Sequence, residues 1–78
     1  MNEFEIKLNT LQKVRNFSEK VATMEEDIDI IVGRYVVDAK SVLGILSIDL
    51  NRVLRLRIHT TDVERCKEFQ KEMKEFFI

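Results

Sequence analysis

Hydrophobic and polar residues alternate in three short segments of the chain, which is the pattern of strands with one buried face. These segments span residues 3–8, 28–32 and 53–58. Their inward-facing side chains are Phe4, Ile6, Leu8, Ile28, Ile30, Val32, Leu54, Leu56 and Ile58. A fourth strand is predicted at Tyr35-Val36-Val37, which is rich in residues that favour strands. Gly33-Arg34 separates it from the second strand and predicts a tight hairpin, with Gly33 supplying a backbone angle that other residues avoid.

Two longer segments have the spacing of amphipathic helices. Leu11, Val14, Phe17 and Val21 predict a helix from about residue 10 to about residue 24, with Asn9 or Thr10 as its N-cap. A last helix follows Thr61-Asp62-Val63-Glu64, which has the pattern of a capping box. Its apolar stripe consists of Cys66, Phe69, Met73 and Phe77.

The last helix raises two further expectations. Cys66 lies in the middle of the stripe and is expected to be a small buried hydrophobe rather than a reactive thiol. Phe76 falls nearer the edge of the stripe than Phe77. If Phe76 is exposed, it is an aromatic side chain available for dimerisation.

A shorter segment lies between the third and fourth strands. Ser41 is a natural N-cap, so Val42-Leu43-Gly44-Ile45-Leu46 predicts a short helix, although a continuing strand is an alternative. The element order is then βαββαβα. One apolar face per strand and one stripe per helix predict an α+β open-faced sandwich, with a four-stranded antiparallel sheet and three helices on one face.

The other face of this sheet is expected to meet water. It carries Glu5, Lys7, Asp29, Arg55 and Arg57. Arg55, Arg57 and His59 suggest an anion or RNA platform, but no aromatic residue is interleaved with them on their strand. Ion pairs with the acidic residues of the first strand are the simpler interpretation. Glu25-Glu26-Asp27 is expected to be a solvated connector rather than a metal site.

Length and charge limit the classes of function. The 78 residues predict one domain, spanning residues 1–78, and carry 13 Lys or Arg against 14 Asp or Glu, a net charge of −1. This balance argues against nucleic acid or an anionic membrane as the main partner. A single Cys forms no internal disulfide, and neither a membrane span nor a signal peptide is evident. We therefore expect a cytoplasmic protein with no cofactor and no metal.

The segment Lys40–Ser47 resembles the phosphocarrier protein HPr of the bacterial sugar phosphotransferase system. In that family a Ser opens a short helix and is followed by two aliphatic residues, a Gly and further aliphatic residues, as in Ser41-Val42-Leu43-Gly44-Ile45-Leu46. The resemblance continues without a gap in both directions over nearly the whole chain. It implies the HPr fold, whose element order is the one predicted above, and a carrier or binding protein rather than an enzyme.

The family transfers phosphate through one His at the start of the first helix, supported by a nearby Arg. An imidazole nitrogen is a usable nucleophile near neutral pH, and the helix N-terminus favours the arriving anion. Here Thr10 occupies the His position, Gln12 the Arg position, and Lys13 the position of the usual Pro. The resemblance therefore implies an HPr-like protein without histidine phosphotransfer, similar to the His-lacking catabolite-repression type.

In Gram-positive bacteria the Ser that matches Ser41 is phosphorylated by HPr kinase, and the product binds a catabolite-control regulator. The resemblance makes Ser41 a candidate phosphosite and makes protein partners of this kind the expected ones. Val42, Leu43, Gly44 and Leu46 match the patch that docks partners in the family.

Each of these residues also has a purely structural interpretation. Ser41 and Thr10 are good helix caps, and His59 is expected to be a solvated side chain at the end of the last strand. A second hypothesis is that the chain keeps only the fold and acts as an assembly module, through the last helix or as a homodimer rather than a monomer. A third is a sugar phosphocarrier that uses an unexpected acceptor.

Overall fold

The computed structural model describes residues 2–78, and four of its segments form one antiparallel sheet. The strands are β1 (Glu3–Ile6), β2 (Ile28–Val32), β3 (Tyr35–Asp38) and β4 (Leu54–Ile58). The helices are α1 (Leu11–Ala22), α2 (Val42–Leu46) and α3 (Val63–Glu72), followed by a terminal 3₁₀ turn (Lys74–Phe76). The predicted order is confirmed, and the strands lie in the order β1-β4-β2-β3. No helix within the described residues is long and apolar enough to cross a membrane.

Strand register determines which side chains the helices cover. Phe4 of β1 lies opposite Leu56 of β4, and Ile30 of β2 lies opposite Leu56 on its other side. These residues belong to the buried face of the sheet. Their neighbours along the strands, such as Glu3 and Arg57, point to the opposite face because side chains alternate along a strand.

The core lies between this sheet face and the helices. Its largest fully buried side chains include three aliphatic residues of β4 and the aromatic rings of Phe17 and Phe69. Phe17 packs against Phe76 with ring centroids 5.5 Å apart in an edge-to-face geometry. Such pairs contribute about 0.5–1.5 kcal/mol beyond the area that they bury. α1 and the 3₁₀ turn are therefore joined through an aromatic contact, while Phe69 of α3 packs against Phe4 of β1.

The solvent-facing side of the sheet carries the ion pairs expected from the sequence. Arg57 Nε donates to Glu3 Oε2 at 2.9 Å, and Arg55 lies 3.5 Å from the same carboxylate. His59 Nε2 lies 2.6 Å from Asp29 Oδ2, and its side chain is 46% exposed. The prediction of a solvated His is confirmed, with the addition of an acidic partner. Ile31 was not predicted on this face, yet it is buried there.

The start of α3 corrects the predicted capping box. The N-cap is Asp62 rather than Thr61, and its carboxylate accepts the backbone N–H groups of Glu64 at 3.0 Å and Arg65 at 3.3 Å. A carboxylate at the N-cap satisfies two free amides and carries the charge that the helix N-terminus favours. The Thr60 hydroxyl in turn accepts the Asp62 N–H at 3.2 Å.

The end of α3 corrects the predicted apolar stripe. α3 ends at Glu72, and the 3₁₀ turn that follows has about three residues per turn instead of 3.6. The tighter winding places Phe76 in the core, 2% exposed, and leaves Phe77 half-buried. Phe76 is therefore no dimerisation aromatic, and Cys66 is half-buried beside the core rather than fully buried.

In the acidic connector before β2, Glu25 and Asp27 are exposed as predicted, whereas Glu26 is half-buried. Arg65 Nε donates to Glu26 Oε2 at 3.0 Å, while Arg65 Nη1 donates to Glu72 Oε1 at 2.8 Å. The hydrogen bond from Arg65 lowers the pKa of Glu26 below its ordinary value of 4.5. The same two carboxylates raise the pKa of Arg65. This network joins α3 to the segment that leads into β2.

Candidate functional site

The residues at the start of α1 form a helix cap. Thr10 is the N-cap, as predicted, and its hydroxyl accepts the Lys13 N–H at 3.1 Å. The Gln12 side chain donates to Asn16 Oδ1 at 2.9 Å, and Lys13 Nζ donates to Asn9 Oδ1 at 3.2 Å. These polar side chains are thus occupied with one another. No general base contacts Thr10 among the described residues, so its hydroxyl is a poor nucleophile.

His59 does not supply the missing imidazole at this position. β1 and β4 are antiparallel, with Glu3 opposite Arg57 and Ile6 opposite Leu54. His59 therefore follows the end of β4 that lies beside the start of β1, whereas Thr10 follows the other end of β1. The two residues lie at opposite ends of the sheet, and His59 is bonded to Asp29 there.

Ser41 caps α2, as the sequence predicts. Its Oγ accepts the Gly44 N–H at 3.1 Å, and the alternative of a continuing strand is wrong because residues 42–46 are helical. A Cβ on Gly44 would lie 3.2 Å from Ser41 Oγ, so the absence of a side chain at Gly44 allows the close approach. Lys40 Nζ donates to the Met24 carbonyl at 2.6 Å, which ties the Ser41 end of α2 to the segment after α1.

α2 exposes most of its aliphatic residues. Leu43 is 83% exposed, Val42 and Leu46 are each about half exposed, and Ile45 alone is fully buried. The predicted docking residues Val42, Leu43 and Leu46 thus lie on the surface, while Gly44 is half-buried within the cap. Ser41 is engaged as a cap, yet the aliphatic residues beside it are open.

Leu11 enlarges this surface, which corrects its predicted place in the core stripe. It is 78% exposed at the first position of α1. A groove of about 530 Å³ runs between α1 and α2. Leu11, Val42, Leu43 and Leu46 are together named the docking patch below.

The walls of the groove are mixed in character. They are formed by Leu11, Gln12, Val14, Arg15, Ser18, Glu19, Val42 and Leu46. Arg15 lies about one helical turn after Gln12 on α1 and places a cation in the wall of the groove. The Ser18 hydroxyl is buried and has no hydrogen-bond partner within residues 2–78. The groove therefore has an apolar floor, with one cation (Arg15) and one carboxylate (Glu19) in its walls.

The sequence predicts the part of this surface that lies on α2, but not the part that lies on α1. Helical spacing assigned Leu11 to the core because it precedes Val14 by three residues. Its one distinguishing feature in the sequence is its place directly after the Thr10 cap, at the end of the helix. Ser18 had no sequence signal, because a polar residue beside a buried stripe is ordinary.

Comparisons with known proteins bear on the fold. The sequence matches no protein-family model and no curated protein. HPr-C-His from Thermoanaerobacter tengcongensis is similar in structure with a TM-score of 0.71 and 21% identity, over 96% of this chain and 92% of that chain. The histidine-containing phosphocarrier protein of Mycoplasma has a TM-score of 0.68 and 11% identity, over 94% and 92%. The architecture predicted from the sequence, an open-faced α+β sandwich, is thus the fold of HPr phosphocarrier proteins.

Proposed function

We propose that residues 1–78 form one HPr-like protein-binding domain that acts in regulation, without histidine phosphotransfer and without enzymatic activity. The observation that carries the proposal is the docking patch around the groove, with Thr10 and Gln12 at the positions of the family's His and Arg. The partners are proteins of the phosphotransferase system and its regulation, with HPr kinase and a catabolite-control regulator as candidates. A cytoplasmic location follows from these partners.

The docking patch supports a protein partner. Leu11 and Leu43 are each more than three-quarters exposed, and the groove between α1 and α2 separates their helices. Exposed aliphatic side chains that cluster beside a groove are typical of a surface that another protein covers. The Arg15 guanidinium at its edge adds a donor for an acidic partner group.

Ser41 is the proposed regulatory phosphosite. A phosphate adds a charge of about −1.5 to −2 at neutral pH, and helix N-termini favour anions. The first turn of α2 contains no acidic side chain that would repel it. The local gain is only about 0.3–1 kcal/mol, so the phosphate acts by changing which partner docks rather than by refolding α2.

Intact mass spectrometry tests the phosphosite. The protein is incubated with HPr kinase and ATP, or with enzyme I and phosphoenolpyruvate, beside an authentic HPr control. We expect one phosphoryl group from the kinase and none from enzyme I. Ser41→Ala should abolish the modification, whereas Ser47→Ala, at the other end of α2, should retain it. A phosphoryl group from enzyme I would instead establish a phosphocarrier with an unexpected acceptor.

Binding to a catabolite-control regulator tests the docking patch. Leu43→Ala should weaken binding of the phosphorylated protein by about tenfold, because central apolar contacts contribute about 1–2 kcal/mol. Val63→Ala on α3 is the matched control, since Val63 is 65% exposed outside the patch. Equal losses from both variants would contradict the proposed surface. No modification and no binding would leave the assembly-module hypothesis.

A further inference from the structure

The two edges of the sheet differ in how they are covered. At the β1 edge, Ile6 forms a bridge with Phe77, and the Lys7 N–H donates to the Phe76 carbonyl at 3.0 Å. At the other edge lies β3, which pairs with β2 on one side only. Within residues 2–78, no segment pairs with the outer side of β3.

Backbone groups of β3 point outward from this edge. Val32 and Tyr35 close the two-residue turn at Gly33-Arg34, and the closing pair of such a hairpin is hydrogen-bonded. Because hydrogen-bonded and non-bonded pairs alternate, Tyr35 and Val37 bond to β2. The backbone N–H groups of Val36 and Asp38 then face away from the sheet.

β3 is only four residues long and ends in Asp38, two features that limit edge pairing, but it lacks the other common protections, Pro and Lys. The chain contains no Pro, and Tyr35-Val36-Val37 contains no Lys or other charge. Tyr35 is 65% exposed and Val36 is 61% exposed. An uncovered apolar edge strand of this kind is a template for pairing with another strand.

We propose that β3 pairs with β3 of a second copy of this chain, in antiparallel orientation about a two-fold axis at Val36. A two-fold axis perpendicular to the sheet keeps the helices of both copies on the same side. It therefore pairs only residues that share a face. The register centred on Val36 places Val36 opposite Val36, Tyr35 opposite Val37, and Arg34 opposite Asp38.

Charge complementarity selects this register. Asp38 lies directly opposite Asp29 within the sheet, and like charges in that arrangement are unfavourable. Asp29 is already bonded to His59, while the side chain of Asp38 accepts only the Lys40 backbone N–H, at 2.9 Å. Arg34 makes no ion pair with any described residue. The second copy supplies Arg34 to Asp38 twice, once on each side of the axis.

The helix-side pairs are also complementary. Tyr35 of one copy lies opposite Val37 of the other, and aromatic residues opposite β-branched residues are favourable cross-strand pairs. A depression of about 420 Å³ beside Val37 and Ile48 gives the incoming ring a place to pack. Shifting the register by two residues would place Arg34 opposite Val36 and remove both ion pairs.

Sedimentation equilibrium tests the dimer. A contact of one short strand is smaller than a standard interface, so we expect a reversible dimer that forms between about 10 µM and about 1 mM. The weight-average mass should rise from 9.2 kDa towards twice that value. A mass that stays at the monomer value over the whole range would overturn the proposal. This outcome is independent of the phosphosite and the docking patch.

Charge variants test the register. Val36→Lys places two cations at the axis and should raise the dimer dissociation constant at least about tenfold. Arg34→Glu and Asp38→Lys should each weaken the dimer, while the double variant Arg34→Glu/Asp38→Lys should restore most of the affinity. Lys74→Glu makes the same charge change as Arg34→Glu at an exposed site in the 3₁₀ turn and should have little effect.

Amide NMR chemical shifts of the unmodified protein, measured on dilution, test the same interface. This measurement does not depend on whether the variants fold. The largest changes should fall on residues 34–38, with slowed hydrogen exchange at Val36 and Asp38 in the dimer. A dimer that tolerates Val36→Lys, or whose shifts map to α2 or α3, would refute β3 pairing.

Discussion

A substitution at Gly44 tests whether the Ser41 cap is as close as the structure shows. The Gly44 N–H donates to Ser41 Oγ at 3.1 Å. An added Cβ would lie 3.2 Å from that oxygen, 3.4 Å from Ser41 Cβ and 3.5 Å from Val37 Cβ. The first contact is tighter than ordinary packing, so Gly44→Ala must push the Ser41 side chain and loosen the cap.

The expected free energies follow from three effects. Replacing Gly by Ala inside a helix stabilises by about 1 kcal/mol, and losing a Ser cap costs about 1 kcal/mol. In the unmodified protein these effects oppose each other, so Gly44→Ala should change stability by less than about 0.5 kcal/mol. Ser41→Ala alone should cost about 1 kcal/mol. In that background the contact with Oγ is gone, and Gly44→Ala should recover most of the loss.

The unmodified protein, the two single variants and the double variant form a double-mutant cycle, whose free energies are measured by urea unfolding. Far-ultraviolet circular dichroism is the signal, because the chain has no Trp and only one Tyr for fluorescence. The expected coupling between the two substitutions is about 1 kcal/mol. Thr10→Ala removes the α1 cap and is the control, since its effect should add to that of Gly44→Ala. If Ser41→Ala and Gly44→Ala are additive to within about 0.3 kcal/mol, the close cap is wrong.

Three further predictions concern stability. Ser18→Ala should raise the free energy of unfolding by about 0.5–1 kcal/mol, because it removes an unsatisfied buried hydroxyl from a helix; a loss in urea unfolding would contradict this. Glu26→Gln should cost about 0.5–1 kcal/mol at pH 7. The folded state lowers the pKa of Glu26, so the ion pair with Arg65 stabilises above pH 4.5 and its contribution disappears as the pH falls through the folded-state pKa. Urea unfolding should show a smaller difference between Glu26→Gln and the unmodified protein at pH 3 than at pH 7. In thermal unfolding, Phe76→Ala should cost about 3–5 kcal/mol, whereas Leu11→Ala should cost under about 0.5 kcal/mol; similar costs would contradict the burial of Phe76.

The strands were predictable from the sequence because one face of the sheet is buried and the other faces solvent. That contrast forces alternation, and the register that follows brings Arg57 to Glu3. The hairpin was predictable for a different reason, since Gly33 has φ of +58°, a region that residues with a Cβ disfavour. Both signals are local, and both specify the backbone directly.

The end of the chain was less predictable because its geometry depends on tertiary contact. A helical stripe extended through α3 exposes Phe76, but the 3₁₀ turn rotates that ring against Phe17. Burial of a large aromatic ring in a small core favours this rotation, and residue spacing along the sequence does not predict it. Leu11 fails in the opposite way: its spacing predicts burial, but its side chain is 78% exposed beside the groove between α1 and α2.

The residues of α2 divide into those that stabilise the fold and those that are exposed to solvent. A helix of five residues is not stable alone, so it depends on the Ser41 cap and on the burial of Ile45. Val42, Leu43 and Leu46 add nothing comparable to the core, yet they are aliphatic where polar residues would serve the fold equally well. The fold therefore accounts for Ser41 and Ile45, and the proposed protein partner would account for the aliphatic residues that the fold leaves open.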